Sequence, residues 1–125
     1  MNGLVLFAHG ARDPRWAEPF QRLQQIVSMQ HPQSKVVLAY LELMLPSLPD
    51  AVAALVAQGA KTINIVPLFL GPGAHLRQDF PVLLEGLRTQ YPQLELTSLP
   101  ALGESEALLN AIAEWITHAL PHAPD

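Results

Sequence analysis

The sequence predicts a doubly wound α/β domain: a four-stranded parallel sheet, flavodoxin-like in strand order, with helices on both faces. Three observations carry this expectation. Short apolar runs such as Leu4–Ala8 recur along the chain, and a continuous run of that length marks a strand buried on both faces. Each run is followed by a stretch with apolar residues at helical spacing, so strands and helices alternate. Parallel strands joined this way need right-handed crossovers, which pack each helix back on the sheet. With 125 residues, of which 50% are hydrophobic, the chain can bury a core without staples. One domain is expected over residues 1–120, with a short tail over 121–125.

The elements follow in order. Leu4–Ala8 is the first strand, closed by Gly10 and a polar turn at Arg12-Asp13-Pro14. From Pro14 to Gln30, Trp16, Phe20, Leu23, Ile26 and Val27 form a helical stripe, with Asp13 as N-cap and Pro14 at the first helical position. Val36–Leu41 is the second strand, and Leu48–Gln58 the second helix, stopped by Gly59. Thr62–Pro67, a helix around Phe80–Tyr91, strand Glu95–Leu99 and helix Glu104–Leu120 complete the pattern. Prolines 14, 32, 46, 67, 81 and 92 fall at element boundaries in this reading. Leu108, Leu109, Ile112 and Trp115 are assigned to the core.

Composition excludes several chemistries. The absence of cysteine removes disulfides, thiolate zinc sites, iron–sulfur clusters and a cysteine nucleophile, so any metal must be held by nitrogen and oxygen. The first apolar run is interrupted at His9-Gly10, too short for a signal peptide or a membrane span, and a soluble cytoplasmic protein is expected. A net charge of -4 with seven Lys and Arg offers no basic footprint for a nucleic acid.

Ligands of open α/β sheets bind beyond the carboxyl ends of the strands. The loop after the first strand carries His9 directly before Gly10, where an imidazole is either presented to a ligand or caps the strand end. His75 lies behind Gly71-Pro72-Gly73 in the long segment after the third strand; it is either a site residue or a solvated residue at a helix start. Strands one and three are neighbours in a 2-1-3-4 sheet, so both histidines fall at one edge, and Glu42 at the end of strand two joins them. Two imidazoles and a carboxylate suit a divalent transition metal with open positions. Glu42, flanked by Leu41, Leu43 and Met44, also reads as a plain surface carboxylate.

Arg12, Arg15 and Arg77 surround the histidine loops and together would form an anion-attracting rim, although each alone reads as a solubility residue. Leu43-Met44-Leu45 and Leu68-Phe69-Leu70 place apolar side chains in loops, the mark of a partner surface or a ligand wall. A flat apolar ligand with acidic edges fits both features. His31, His118 and His122 read as helix-end or tail residues. A histidine-nucleophile phosphatase is a competing reading, with His9 attacking and Arg12 clamping phosphate. That chemistry usually places an arginine before its first histidine, where Ala8 stands here.

The segments His9-Gly10-Ala11-Arg12-Asp13-Pro14, Leu41-Glu42 followed by Pro46-Ser47-Leu48, and Gly73-Ala74-His75-Leu76-Arg77-Gln78-Asp79-Phe80-Pro81 resemble the short form of the CbiX-type sirohydrochlorin chelatases. The resemblance runs in order over nearly the whole chain. It implies insertion of divalent cobalt, or iron or nickel, into sirohydrochlorin on routes to cobalamin or sirohaem. By it, His9 and His75 are metal ligands, and Glu42 orients one of them or takes a proton. Arg12 and Arg77 then face substrate carboxylates. It implies no cofactor beyond the metal substrate, and a homodimer, because longer relatives set two such domains across a cleft. Ala11 departs from the family's common serine, and the histidine-rich tail of some short members is missing. A non-catalytic metal or tetrapyrrole carrier would need the same ligands.

Overall fold

The computed structural model describes residues 1–71 and 73–121, and of His75 the backbone alone. Its centre is a four-stranded parallel sheet of β1 (Asn2–Ala8), β2 (Ser34–Tyr40), β3 (Thr62–Pro67) and β4 (Glu95–Ser98), in the order β2-β1-β3-β4. The helices are α1 (Glu18–Gln30), α2 (Leu48–Ala57), α3 (Ala74–Gln90) and α4 (Glu106–Ala119), with 3₁₀ turns at Pro14–Ala17 and Leu102–Glu104. Register places Leu4 of β1 between Val36 of β2 and Asn64 of β3, so β1 is interior and its sequence is apolar for that reason. The predicted doubly wound α/β architecture and strand order are those observed.

Alternation along the strands divides the core into two layers. On one face Val5, Phe7, Ile63 and Ile65 pack against Leu48, Val52 and Leu55 of α2 and Leu84 and Leu87 of α3. On the other, Leu6, Ala8, Val36, Leu38 and Tyr40 meet Trp16, Phe20, Leu23 and Val27. The first layer holds the fully buried large side chains, each contributing about 1.5–3 kcal/mol through burial. The ends of α2 are set by its own sequence: Ser47 Oγ accepts from the Asp50 amide at 3.2 Å, and Gly59 at φ +99° follows the last turn.

Several boundaries differ from expectation. β1 and β2 begin two residues early, because Asn2 and Ser34 join the ladder through their backbones and need no apolar side chain. The first helix opens as a 3₁₀ turn. Pro19 in the first turn of α1 has no amide to donate, and the Glu18 amide bonds the Arg15 carbonyl in the tighter i→i+3 pattern. The largest correction concerns α3, which starts at Ala74, not near Phe80. Pro81, read as a boundary, lies inside the helix. Leu76 and Phe80, in the turns before it, pack against the core and hold the helix together across the missing hydrogen bond. Leu108, Leu109, Ile112 and Trp115 are not core: α4 has no buried residue, and Trp115 is 69% exposed.

All four strands end at one edge, which gathers the segments after β1, β2 and β3. Among the described residues no helix is long and apolar enough to cross a membrane.

Candidate functional site

The β1 and β2 ends continue side by side past the sheet. The Leu41 amide donates to the Ala8 carbonyl at 2.9 Å, and the Glu42 amide to the His9 carbonyl at 3.1 Å. Gly10 makes this approach possible: it runs at φ +94°, and a Cβ there would lie 1.9 Å from the Glu42 carbonyl oxygen. The two side chains consequently meet, with His9 Nε2 3.1 Å from Glu42 Oε1. Both are 56% exposed, so the pair is worth about 0–1 kcal/mol at most and its consequence is orientation. Glu42 holds the imidazole by one nitrogen and leaves the other for a ligand or a proton.

Beneath the ring lies an aromatic floor. Phe69 meets His9 edge-on at 6.2 Å between centroids, and Phe7 at 5.4 Å. Phe69 is therefore a core anchor, where its neighbours had suggested an exposed loop residue; Leu70 beside it is 61% exposed. Its signal in the sequence was the continued alternation past Pro67.

Beyond Glu42 the chain makes a tight excursion. The Met44 amide bonds the Glu42 carbonyl at 2.8 Å around Leu43 at φ 65°, a strained γ-turn, and the loop closes where the Tyr40 amide bonds the Pro46 carbonyl at 2.9 Å. Leu43 and Leu45 are pushed into solvent, 58% and 84% exposed. Arg12 shares a cleft with Leu43, Met44 and Leu45. Arg77, in the first turns of α3, lines a separate and more apolar cleft with Phe69, Phe80 and Leu99. Glu104, not singled out in the sequence, stands in the wall of that second cleft.

Arg15 does not join the rim. Its guanidinium binds Asp13 Oδ2 at 2.9 Å, and its amide binds Asp13 Oδ1 at 2.9 Å. These bonds, the side-chain one foremost, hold the Asp13 carboxyl below its ordinary value. Burial pushes the Tyr40 hydroxyl in the opposite direction, upward. The i, i+2 spacing of an N-cap aspartate and an arginine was the available signal for the pair.

His75 is the second residue of α3, two positions after the Gly73 N-cap; its side chain lies outside the described residues, as does His122. Among the described residues no three His, Asp or Glu side chains form a metal-sized group. The described members of the expected set are thus His9 and Glu42, in contact. Around them stand exposed leucines, an aromatic floor and two arginines at separate clefts. Such a surface can accept a wide, flat, apolar ligand with anionic edges and present it to an imidazole.

Known proteins share this arrangement of strands and helices. The family model described as CbiX matches residues 3–119. Over 114 residues the chain is 32% identical to the sirohydrochlorin cobaltochelatase of Saccharolobus solfataricus, spanning 86% of this chain and 88% of that one. It is 30% identical over 124 residues to the chloroplastic sirohydrochlorin ferrochelatase of Arabidopsis thaliana, spanning 97% of this chain but about half, 54%, of the plant protein. Among solved structures, a CbiX protein from Marinobacter aquaeolei VT8, ascribed to cobalamin biosynthesis, superposes with a TM-score of 0.81 at 31% identity, covering 94% of this chain and 96% of that one. A family match over nearly every residue, on a fold shared at this level, leads to one statement: the chain belongs to the CbiX family.

Proposed function

We propose that the protein is a sirohydrochlorin chelatase that inserts a divalent metal, cobalt first and iron or nickel as alternatives, into the macrocycle on a route to cobalamin or sirohaem. The observation that carries this reading is the 3.1 Å contact between His9 and Glu42 at the sheet's carboxyl edge, in a chain whose relatives include both a cobaltochelatase and a ferrochelatase. His9 and His75 would ligate the incoming metal, which is substrate. Imidazoles bind first-row divalent ions without the grip of thiolates, as release into the ring demands. Insertion exchanges one metal ion for the two protons of the macrocycle nitrogens. His9 and Glu42 form a relay for a departing proton, from the imidazole nitrogen to the carboxylate.

Arg12 and Arg77 would meet the carboxylates of the ring, and the exposed leucines after β2 its apolar face. One small domain offers only one wall to so wide a ligand. A second copy of the chain supplies the other in this reading, so the working form is a homodimer in the cytoplasm, needing no cofactor beyond its metal.

The test is metal insertion into sirohydrochlorin, followed in the visible spectrum with cobalt, iron and nickel in parallel. Acceleration over the uncatalysed reaction is expected, with Glu42→Gln, which keeps an acceptor oxygen for His9 but cannot take up its proton, slower by about 10–100-fold. A wild-type protein that binds metal at His9 yet never accelerates insertion is a carrier, and the chelatase reading fails.

A further inference from the structure

The cleft beside Arg12 is built from the same two chain segments as the His9–Glu42 pair. Tyr40, the last residue of β2, stands in register with Ala8 of β1, and the Gly10 turn passes so close that a Cβ there would lie 3.5 Å from the Tyr40 Cβ. Arg12 follows that turn by two residues, and Leu43, Met44 and Leu45 follow Glu42. Together with Gln21 of α1 they border a cleft of about 330 Å³. Whatever sits there is held against His9 by two hydrogen-bonded strand ends.

Tyr40 is the unexpected member of this lining. It is 6% exposed, in the layer of Leu6, Val36 and Leu38, with the Trp16 ring 6.5 Å from its own between centroids. A hydroxyl on so buried a residue is costly unless a partner answers it. Among the described residues it finds none, and none of them carries a polar side-chain atom both sealed from water and unpartnered, so the hydroxyl opens on the cleft. Burial pushes its pKa upward, which keeps the proton on the oxygen and makes the group a donor.

The other polar groups of the lining donate as well. Arg12 is exposed and forms no ion pair among the described residues, unlike Arg15, which Asp13 holds. Gln21 brings an amide. No carboxylate lines this cleft, whereas Glu104 stands in the Arg77 cleft and opposes an anion there. A hydroxyl, a guanidinium and an amide beside a wall of leucine and methionine match a carboxylate carried on an apolar edge.

We propose that this cleft is a subsite for one carboxylate arm of the tetrapyrrole, gripped by the Tyr40 hydroxyl together with the Arg12 guanidinium, with Gln21 as a further donor. Leu43, Met44 and Leu45 then lie against the ring edge that bears the arm. The assignment rests on the proposed substrate and is independent of which metal is inserted.

Tyr40→Phe tests it, because one oxygen is removed and the packed ring stays. The Kd of metal-free sirohydrochlorin is read from the ring's own fluorescence, and KM for ring and for cobalt from insertion rates, in wild type, Tyr40→Phe, Arg12→Gln and the double variant. In Tyr40→Phe the Kd and the ring KM should rise about tenfold, the loss of a hydrogen bond to a charged group, while the cobalt KM and the thermal melt stay as in wild type. The double variant should lose less than the product of the two single losses, since both groups hold the same carboxylate. Wild-type affinity in Tyr40→Phe overturns the subsite, as do single losses that multiply in full or a cobalt KM that rises with the ring KM. A wild type that binds the ring without turning it over refutes the chelatase reading, and the Kd comparison still decides the subsite. A wild type that binds no tetrapyrrole overturns both.

Discussion

At Gly10 one missing side chain decides whether His9 and Glu42 meet. The backbone angle of +94° and the Glu42 carbonyl at 1.9 Å from a would-be Cβ leave no room for alanine. Gly10→Ala is expected to destabilise the protein by about 1–3 kcal/mol through backbone strain alone, more with the clash, and to separate the imidazole from its carboxylate. A thermal melt checks the first effect and the insertion assay the second. Asp13 behaves differently. Its depressed pKa means that the bond to Arg15 stabilises the folded state above the ordinary value of 3.8 and that this contribution disappears as pH falls through the lower folded value. Asp13→Asn should therefore flatten that part of the acid limb in a pH series of denaturant melts, with little change in melting near neutrality beyond the loss of a surface pair.

Among the elements, α2 was legible from Leu48 to its stop at Gly59, and the structure adds the serine cap at Ser47 and shows that both ends are set locally. Ser47→Ala should cost about 1 kcal/mol, measured as a shift in the denaturation midpoint at constant slope. The element that misled was α3. A proline normally ends a helix on local grounds, and Pro81 is kept inside one by Leu76 and Phe80 packing on the core, a tertiary fact that no local pattern announces. α4 was placed to within two residues along the chain but its apolar stripe was wrongly assigned to the core, since periodicity shows that a helix has an apolar face and not whether that face is buried. At the site, His9 and Glu42 were legible as strand-end residues and their meeting followed from the strand order. The aromatic floor of Phe69 and the diversion of Arg15 to Asp13 left only local traces, the alternation past Pro67 and the i, i+2 spacing, and the contacts themselves are visible only in three dimensions.

For the whole molecule, an acidic chain sets Arg12 and Arg77 in two separate clefts, and the proposed function needs a ligand wide enough to reach both. If the protein is the proposed chelatase, that ligand is the tetrapyrrole, and the His9–Glu42 pair is where the exchange of metal for protons is expected. The most direct measurement is the initial rate of cobalt insertion into sirohydrochlorin by wild type, His9→Ala and His75→Ala at equal concentration. Wild type should exceed the uncatalysed rate, and each alanine variant should lose at least about 100-fold while melting within a few degrees of wild type. Full activity in His9→Ala, or no acceleration by wild type, would contradict the account.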